Sequence, residues 1–400
     1  MFGCSDDDAP ARLDRAAAEH ASTAARRREL GAHDGIDGEV LAQCYEVWRG
    51  AGDDPLATAP VPSPPPGDGW TSTSAPVPLG RAHRIPSDAQ TVVQGLLDPG
   101  RPPLVTIDSG DVIVYEDTWT HFLGRLQPGV GAAELSALRS ANPGRGVHSI
   151  IGPIAVRGAM PGDVLQLRML RLETIDFGAN FHNDGALGTG VLHDEFEHAR
   201  VRYFELDPNG AYVAFNDRIR LALRPFQGTL GVAPPGDAAV SSVAPGAFGG
   251  NIDLKELTVG ASLFVPVFHP GGLIFTGDSH ALQGDGEVNI TAIETAMREA
   301  CMQVILHKRV DWNWPFAETP THWIALGSDP DPHQALRIAL RQTIAFLQRR
   351  AQLSRDDAYS LASLAVDFRV TQIVNVCAGV HAMIPKAIFA PDYRRTIAVA

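Results

Sequence analysis

Short β-type runs separated by turn-forming residue pairs extend from His83 to about Val310, and this pattern sets the strongest limit on the fold. Apolar and polar residues alternate in DVLQLRMLRLE (163–173) and in DRIRLALRP (217–225), as they do in half-buried strands. Pro161-Gly162 and several Gly-Asp pairs supply turn chemistry between the runs. Many short strands joined in this way predict a β-sandwich or barrel.

The two ends of the chain follow different patterns. Residues 9–31 are rich in Ala, Arg and Glu and predict a helix, while 59–69 (APVPSPPPGDG) predicts a Pro-rich spacer. Near the other end, 331–350 predicts an amphipathic helix, a second helix starts at Ser354, and FRVTQIVN predicts a strand.

We therefore expect a mainly β protein, with jelly-roll-like sandwich or barrel elements, in three parts. Residues 1–80 form an N-terminal extension of helix plus spacer, 81–290 a β-rich domain, and 291–400 an α+β C-terminal part packed on that domain. The stretch 292–308 remains ambiguous, because its start has helical composition and its end has strand composition.

Composition excludes several classes of function. The chain has 33 basic and 46 acidic side chains, a net charge of −13, which argues against a nucleic-acid partner. No stretch approaches the roughly 20 apolar residues that span a bilayer, so no membrane partner is expected. The four cysteines lie far apart with no CxxC pair, which favours a reducing cytoplasm over a disulfide framework.

The densest cluster of acid and histidine residues is GDSHALQGDGE at 277–287. Asp278 and His280 are two residues apart, so on a strand both side chains face the same side. Gly284 and Gly286 allow the chain to fold back and bring Glu287 near them. A His nitrogen with carboxylate oxygens suits zinc, iron or manganese; the alternative is a Gly-rich turn whose acids cap backbone amides.

Further candidates lie elsewhere in the chain. In GGNID, Asn251 and Asp253 are again two apart after a double glycine, and an Asx turn is the alternative to a functional site. His148 precedes a β-type run and is a possible additional site residue. Asp194 lies in HDEFEH, where the two histidines are five apart rather than the four of a helical metal pair, so a solvated loop is favoured there.

Several blocks together resemble the acetamidase/formamidase family of metal-associated amidohydrolases, which act on short aliphatic amides. These blocks occur in the family's order from about His83 to Phe389: GPIAVRGAMPGDVLQL, GTLGVAPP, GGNIDLKELTVGASLFVPVFHPGGLIFTGDSHALQGDGEV, FAETPTHWIALGSDPD, LASLAVDFRVTQIVN and GVHAMIPKAIF. The resemblance implies a mainly β, jelly-roll-like fold joined to α+β elements. It also implies a small-molecule amide substrate and a homo-oligomer.

The resemblance places the family's functional residues at six positions: Asn251, Asp253, Asp278, His280, Asp285 and Glu287. From these we expect a divalent metal, with zinc favoured and calcium as an alternative structural ion, held by Asp253, Asp278 and His280. Glu287 is expected to move the proton between water and the leaving nitrogen. Asn251 is expected to donate to the oxyanion, with Asp285 as a further catalytic candidate.

Three alternatives to linear carboxamide hydrolysis stay open. The first is hydrolysis of another C–N bond, in a ureido, carbamoyl or cyclic amide substrate. The second is a cupin-like iron oxygenase that uses His280 and the carboxylates as a facial triad. The third is a non-catalytic β-sandwich stabilised by an ion such as calcium on the acidic turns.

Overall fold

The computed structural model describes most of the chain after the Pro-rich spacer. The described residues are 77–183, 185–196, 198–207, 211–310, 312–394 and 397. The predicted helix at 9–31 and the spacer at 59–69 lie outside them.

The described residues contain 22 strands. In chain order these are β1 (Ala82–Pro86), β2 (Val92–Gln94), β3 (Leu96–Leu97), β4 (Val105–Ile107), β5 (Val112–Glu116), β6 (Ser149–Val156), β7 (Val164–Thr174), β8 (Phe177–His182), β9 (Arg200–Glu205), β10 (Tyr212–Asn216), β11 (Ile219–Ala222), β12 (Phe226–Val232), β13 (Val240–Ser241), β14 (Gly249–Asn251), β15 (Ser262–Pro266), β16 (Ile274–Leu282), β17 (Ile293–Thr295), β18 (Met297–His307), β19 (Phe316–Glu318), β20 (His322–Asp329), β21 (Asp367–Gln372) and β22 (Ala378–Pro385).

Helices are fewer and lie mainly near the C-terminal end. They are α1 (His121–Gly124), α2 (Ala132–Ser140), α3 (Pro332–Arg350), α4 (Arg355–Ala365) and α5 (Pro391–Arg394), with short 3-10 turns at Gly185–Leu187 and Lys386–Ile388. The mainly β prediction is confirmed, and the ambiguous stretch 292–308 forms the strands β17 and β18.

The two predicted C-terminal helices are confirmed, and each starts at a capped residue. The Asp331 carboxylate accepts from the backbone N–H of His333 at 2.9 Å before α3. The Ser354 hydroxyl accepts from the backbone N–H of Asp357 at 3.0 Å before α4. Such caps satisfy backbone donors that have no partner inside the helix, which is why each helix begins there.

Two nine-stranded sheets carry the architecture. The first has the order β1-β5-β18-β7-β15-β19-β20-β22-β21, and the second has β14-β12-β16-β17-β8-β9 with β6 pairing β16, β2 and β4. Strands on both sides of residue 290 take part in each sheet. The domain division at that residue stays a prediction.

The main core contains side chains from both sheets. Ile113 and Leu167 come from the first sheet, Leu230 and Ile274 from the second, and all four are fully buried. A second core packs α3 and α4 against the far half of the first sheet; there the rings of Phe316 and Phe346 stack at 4.7 Å. Among the described residues, no helix combines the length and the apolar character needed to cross a membrane.

His381 on β22 is fully buried, and its Nδ1 lies 2.8 Å from the Thr371 hydroxyl. Burial lowers the pKa of His381 to about 4. Because this pKa lies below the unfolded value of about 6.5, the unfolded chain binds the proton first as the pH falls. We expect this histidine to contribute about 3 kcal/mol to stability above pH 6.5, and the contribution to be lost between pH 6.5 and 4.

Urea denaturation of the wild type and of His381→Gln at pH 7 and pH 4.5 measures this contribution. The difference between the two proteins in unfolding free energy should shrink as the pH falls. His333→Gln, a change at an exposed histidine, is the matched control. Equal pH dependence in the wild type and His381→Gln would contradict the expected role of His381.

Candidate active site

Three strands of the second sheet, β14, β16 and β17, bring polar residues together. Asp278 and His280 lie on β16, where both side chains are buried, and Glu294 on β17 stands opposite His280 in the strand register. Asn251 ends β14, and Asp253 follows two residues later. The two i, i+2 pairs identified in the sequence therefore meet at one place.

His280 lies at the centre of this cluster. Its Nε2 is 3.1 Å from the Asp278 Oδ1 atom and 3.1 Å from the Glu294 Oε2 atom. On the other side of the ring, its Nδ1 is 4.0 Å from the Asp253 Oδ1 atom. The ring of Phe226 packs edge-on against the imidazole, with 4.9 Å between the two ring centroids. Carboxylates thus face both nitrogens of His280.

Two further histidines complete the cluster. His121 Nε2 lies 3.6 Å from Asp278 Oδ1 and 3.4 Å from Glu294 Oε2. His148 Nε2 lies 3.8 Å from Asp278 Oδ2, and its Nδ1 is 2.7 Å from the Ser242 hydroxyl. His148 was a possible additional residue in the sequence, whereas His121 and Glu294 were not predicted.

Left-handed backbone conformations aim several of these side chains. Asp253, Asp278 and Glu287 have φ values of 49°, 58° and 46°, a region that residues other than glycine seldom adopt. Phe122 and Leu123, directly after His121, have φ values of 57° and 56°. Such strain is typical of functional sites, where the surrounding structure holds residues in costly conformations.

The electrostatics of the cluster are dominated by burial and mutual proximity. Burial alone would raise the pKa of Asp278, but the His148 and His280 rings hold it well below its usual range. Burial also disfavours charge on His280, yet the Glu294 and Asp278 carboxylates raise its pKa well above the usual value. The Glu294 and Asp278 carboxylates therefore favour positive charge at this point of the cluster, beside an ionised Asp278.

Two other acids of the cluster, Asp253 and Glu287, have raised rather than lowered pKa values. Burial, with repulsion from Asp278, raises the pKa of Asp253 to about 7. Burial, with repulsion from Asp253, raises the pKa of Glu287 well above its usual range. The Glu287 carboxyl is therefore able to carry a proton near neutral pH.

Three buried polar atoms of the cluster have no hydrogen-bond partner among the described residues: Asp253 Oδ1, His280 Nδ1 and Glu294 Oε2. Unpaired buried groups of this kind are costly. Beside them, a Cβ atom at Gly228 would lie 2.5 Å from Asp253 Oδ1 and 2.6 Å from Asp278 Oδ2. The absence of a side chain at Gly228 thus leaves space between the two aspartates.

Hydrogen bonds from neighbouring groups hold the Asp253 and Asn251 side chains in place. The Asn375 amide donates to Asp253 Oδ2, and the Thr229 hydroxyl donates to Asn251 Oδ1 at 2.7 Å. Asn251 Nδ2 donates to the carbonyl of Val243 at 3.1 Å, which leaves its second N–H hydrogen for another acceptor.

Two candidates from the sequence do not join the cluster. Asp285 is exposed, and its carboxylate forms an ion pair with Lys255 instead. It lies in a separate group with Glu256 and His381, because the turn that buries Glu287 points Asp285 towards Lys255. Asp194 is exposed on the segment 191–196, as expected for a solvated loop. We therefore assign no catalytic role to Asp285 or Asp194.

An open pocket leads to the cluster and holds about 490 Å³ of empty space, part of which is open to solvent. Asp253, Asp278, Glu287 and Glu294 lie along its walls with His121. Small-molecule sites usually combine a concave pocket with a few convergent polar groups. The acid and histidine cluster is therefore accessible to a small ligand.

Comparison with known proteins shows which family this chain resembles. The sequence profile of the Acetamidase/Formamidase family matches residues 86–239 and 235–310. The chain is 29% identical over 205 residues to a formamidase of Methylophilus methylotrophus, covering 38% of this chain and 49% of that protein. It is 30% identical over 199 residues to an acetamidase of Mycolicibacterium smegmatis, covering 36% of this chain and 49% of that protein.

The fold agrees with these matches. The crystal structure of an acetamidase from Bacillus halodurans superposes with a TM-score of 0.69 at 27% identity, covering 77% of this chain and 98% of that one. The chain spans about half the length of the formamidase and the acetamidase that it matches in sequence. Because the family profile matches more than half of its residues, this chain belongs to the acetamidase/formamidase family.

Proposed function

We propose that this protein is a metal-dependent amidohydrolase that converts a linear carboxamide into a carboxylate and ammonia. The observation that carries the proposal is the buried cluster around His280, in which Asp253 Oδ1, His280 Nδ1 and Glu294 Oε2 lack hydrogen-bond partners. The formamidase and acetamidase names of its relatives supply the reaction class.

The donor set fits a divalent transition metal. Four buried carboxyl groups and three histidine side chains face one another. The raised pKa values of Asp253 and Glu287 show that ionising all four acids is unfavourable unless a cation is present. Mixed nitrogen and oxygen donors suit zinc, iron or manganese, whereas calcium prefers oxygen donors alone. We favour zinc over a structural calcium ion on this ground.

Asp278 is the proposed ligand that is shared between two groups of donor side chains. It is common to two groups whose donor atoms lie within 4.8 Å of one another, His121–His148–Asp278 and Asp278–His280–Glu294. The sequence predicts Asp253, Asp278 and His280 as ligands. Asp253 lies nearer the Nδ1 atom of His280, and Asp278 lies nearer its Nε2 atom. We propose that Asp278 and His280 hold the metal, with the remaining donors completing its shell.

A bound metal of this type lowers the pKa of water and polarises a carbonyl group. Glu287 accepts the proton of the attacking water and delivers it to the leaving nitrogen, because an amide anion is too poor a leaving group to depart unprotonated. Burial raises the pKa of Glu287, which favours the protonated form needed for the second step. The free N–H hydrogen of Asn251 donates to the carbonyl oxygen as negative charge develops there.

Substitution of Glu287 tests the proton transfer. Glu287→Gln should lower kcat for ammonia release by about 10²- to 10⁴-fold, the usual contribution of a general acid–base group. The comparison variant is Asp285→Asn, in the same Gly-rich turn but exposed, for which we expect a rate close to that of the wild type. If Asp285→Asn lost the activity and Glu287→Gln retained it, the proton-transfer role would pass to Asp285.

A panel of amides, scored for ammonia and run with elemental analysis of the purified protein, tests the proposed function itself. Ammonia release with bound zinc supports it. Bound iron with oxygen consumption would instead support an oxygenase, and metal binding without turnover of any amide would support a structural ion site.

We also propose that the protein works in the cytoplasm as a homo-oligomer. The cytoplasmic location rests on the cysteine usage: the four cysteines lie far apart with no CxxC pair, and Cys301 is a buried free thiol, as expected of proteins in reducing compartments. The oligomer rests on the family resemblance and on the Ala-rich segment 9–31, whose predicted helix needs a partner surface.

A further inference from the structure

Two arginines line the pocket that leads to the acid and histidine cluster. Arg139 lies near the C-terminal end of α2, and Arg145 lies in the connection between α2 and β6. Val147 and Val243 line the same pocket. The lining of this pocket therefore combines buried acids with a pair of cations that come from a different part of the chain.

The packing of α2 explains why Arg139 faces inward. Leu135 is buried against Phe122 and Phe181, and Arg139 lies one helical turn later on the same face. Its side chain is half-buried, and burial lowers the pKa of Arg139 to about 10. The guanidinium group nevertheless stays charged at neutral pH, and the negative end of the α2 dipole favours a cation there.

Neither pocket arginine forms an ion pair with an acid among the described residues. Arg125, on the same segment of chain, does have such a partner, since its Nη2 lies 3.8 Å from Glu134 Oε1. For Arg139, whose side chain is half-buried, a guanidinium group without a counter-ion is costly, and the planar array of donors of either arginine matches a carboxylate. The unpaired charges thus lie where a ligand can reach them.

We propose that Arg139 and Arg145 form an anion-binding subsite, and that the substrate is an amide carrying a carboxylate at the end remote from the amide group. This inference rests on the proposed function for the reaction at the amide end. Val147 and Val243 supply apolar surface in the same pocket, so a short run of methylene groups is a matching spacer. An ω-amide of a short dicarboxylic acid has this chemistry.

The reaction balances without a further co-reactant. The oxygen of water bonds to the amide carbon, the C–N bond breaks, and the nitrogen takes both protons of the water and leaves as ammonium. The product is a dicarboxylate, in which the anionic group held by the arginines is unchanged.

The test compares two amides of similar length, succinamate and the neutral butyramide. The wild type should have a kcat/KM for succinamate about 10- to 100-fold higher, the ratio that one or two charge-assisted hydrogen bonds give. In Arg139→Gln and in Arg145→Gln this ratio should fall towards one, chiefly through a higher KM for succinamate. The matched control is Arg125→Gln, which removes a paired arginine on the same segment and should leave the ratio unchanged.

Calorimetric titration with succinate gives a readout that does not depend on turnover. Binding should weaken about 10-fold or more in Arg139→Gln, with circular dichroism confirming that the variant is folded. Arg145 is exposed, so Arg145→Gln provides a second variant with little risk to folding.

The outcomes separate this inference from the proposed function. Equal kcat/KM values for the two amides, with succinate binding unaffected by either substitution, would overturn the subsite and leave the amidohydrolase proposal standing. Arginine-dependent succinate binding without hydrolysis of any amide would support the subsite and overturn the proposed reaction.

Discussion

Asp278→Asn is expected to abolish ammonia release and metal binding together while the fold is retained. The Asp278 carboxylate lies within 4 Å of His121, His148 and His280, so no other acid in the cluster contacts as many donors. Asparagine has nearly the same shape, and it tolerates the φ of 58° at this position better than alanine does. The substitution therefore removes the charge with little added backbone strain.

Metal content is the decisive measurement for Asp278→Asn. Loss of an outer-shell partner typically lowers metal affinity by about 10- to 100-fold, and loss of a direct ligand should exceed that, leaving the purified variant without stoichiometric metal. Asp285→Asn makes the same chemical change at an exposed acid and serves as the control. A variant that kept both its metal and its activity would remove Asp278 from the proposed ligand set.

The sequence predicted the part of the site that depends on local spacing. Asp278 and His280 project from the same face of β16 because alternate side chains of any strand do so. Glu287 returns to them because glycines allow the turn that precedes it: Gly286 has a φ of 96°. Alternation and turn chemistry are properties of short segments, so they can be predicted without knowledge of the fold.

The residues that escaped prediction depend on pairing between distant segments. Glu294 enters the site because β17 pairs with β16 in a register that sets it opposite His280. Its own segment, AIETAMREACMQVILHK, has no clear strand pattern at its start. His121 is aimed by two left-handed residues, Phe122 and Leu123, whose side chains do not favour that conformation. No local signal marks such positions.

Asp285 illustrates the opposite case, a predicted site residue that lies outside the cluster. It shares the Gly-rich turn with Glu287, and spacing alone treats the two acids alike. The structure separates them because Lys255, which follows Asp253 in sequence by two residues, binds the Asp285 carboxylate outside the cluster. Whether an acid in such a turn faces a site or a neighbouring lysine depends on tertiary contacts, and one sequence does not contain that information.

Gly228→Ala is the second substitution for which we expect complete loss of activity. Gly228 lies on β12 below the cluster, and its added methyl group would lie 2.5 Å from Asp253 Oδ1, 2.6 Å from Asp278 Oδ2 and 2.7 Å from His280 Cε1. Real Cβ contacts are not this short, so the carboxylates must move apart or the strand must shift. Overpacking of this kind costs about 1–3 kcal/mol of stability, and the added methyl group would press on Asp253, Asp278 and His280, the three ligands inferred from the sequence.

Metal content, ammonia release and thermal unfolding of Gly228→Ala measure this effect. We expect a folded protein with a lower unfolding temperature, no stoichiometric metal and no measurable turnover. Gly284→Ala is the matched control, because a Cβ atom at Gly284 meets no other atom within 4 Å, although the residue belongs to the turn that carries Glu287. Full metal occupancy and normal turnover in Gly228→Ala would mean that the metal binds elsewhere in the cluster, on the side of Asp278 that faces His121 and His148.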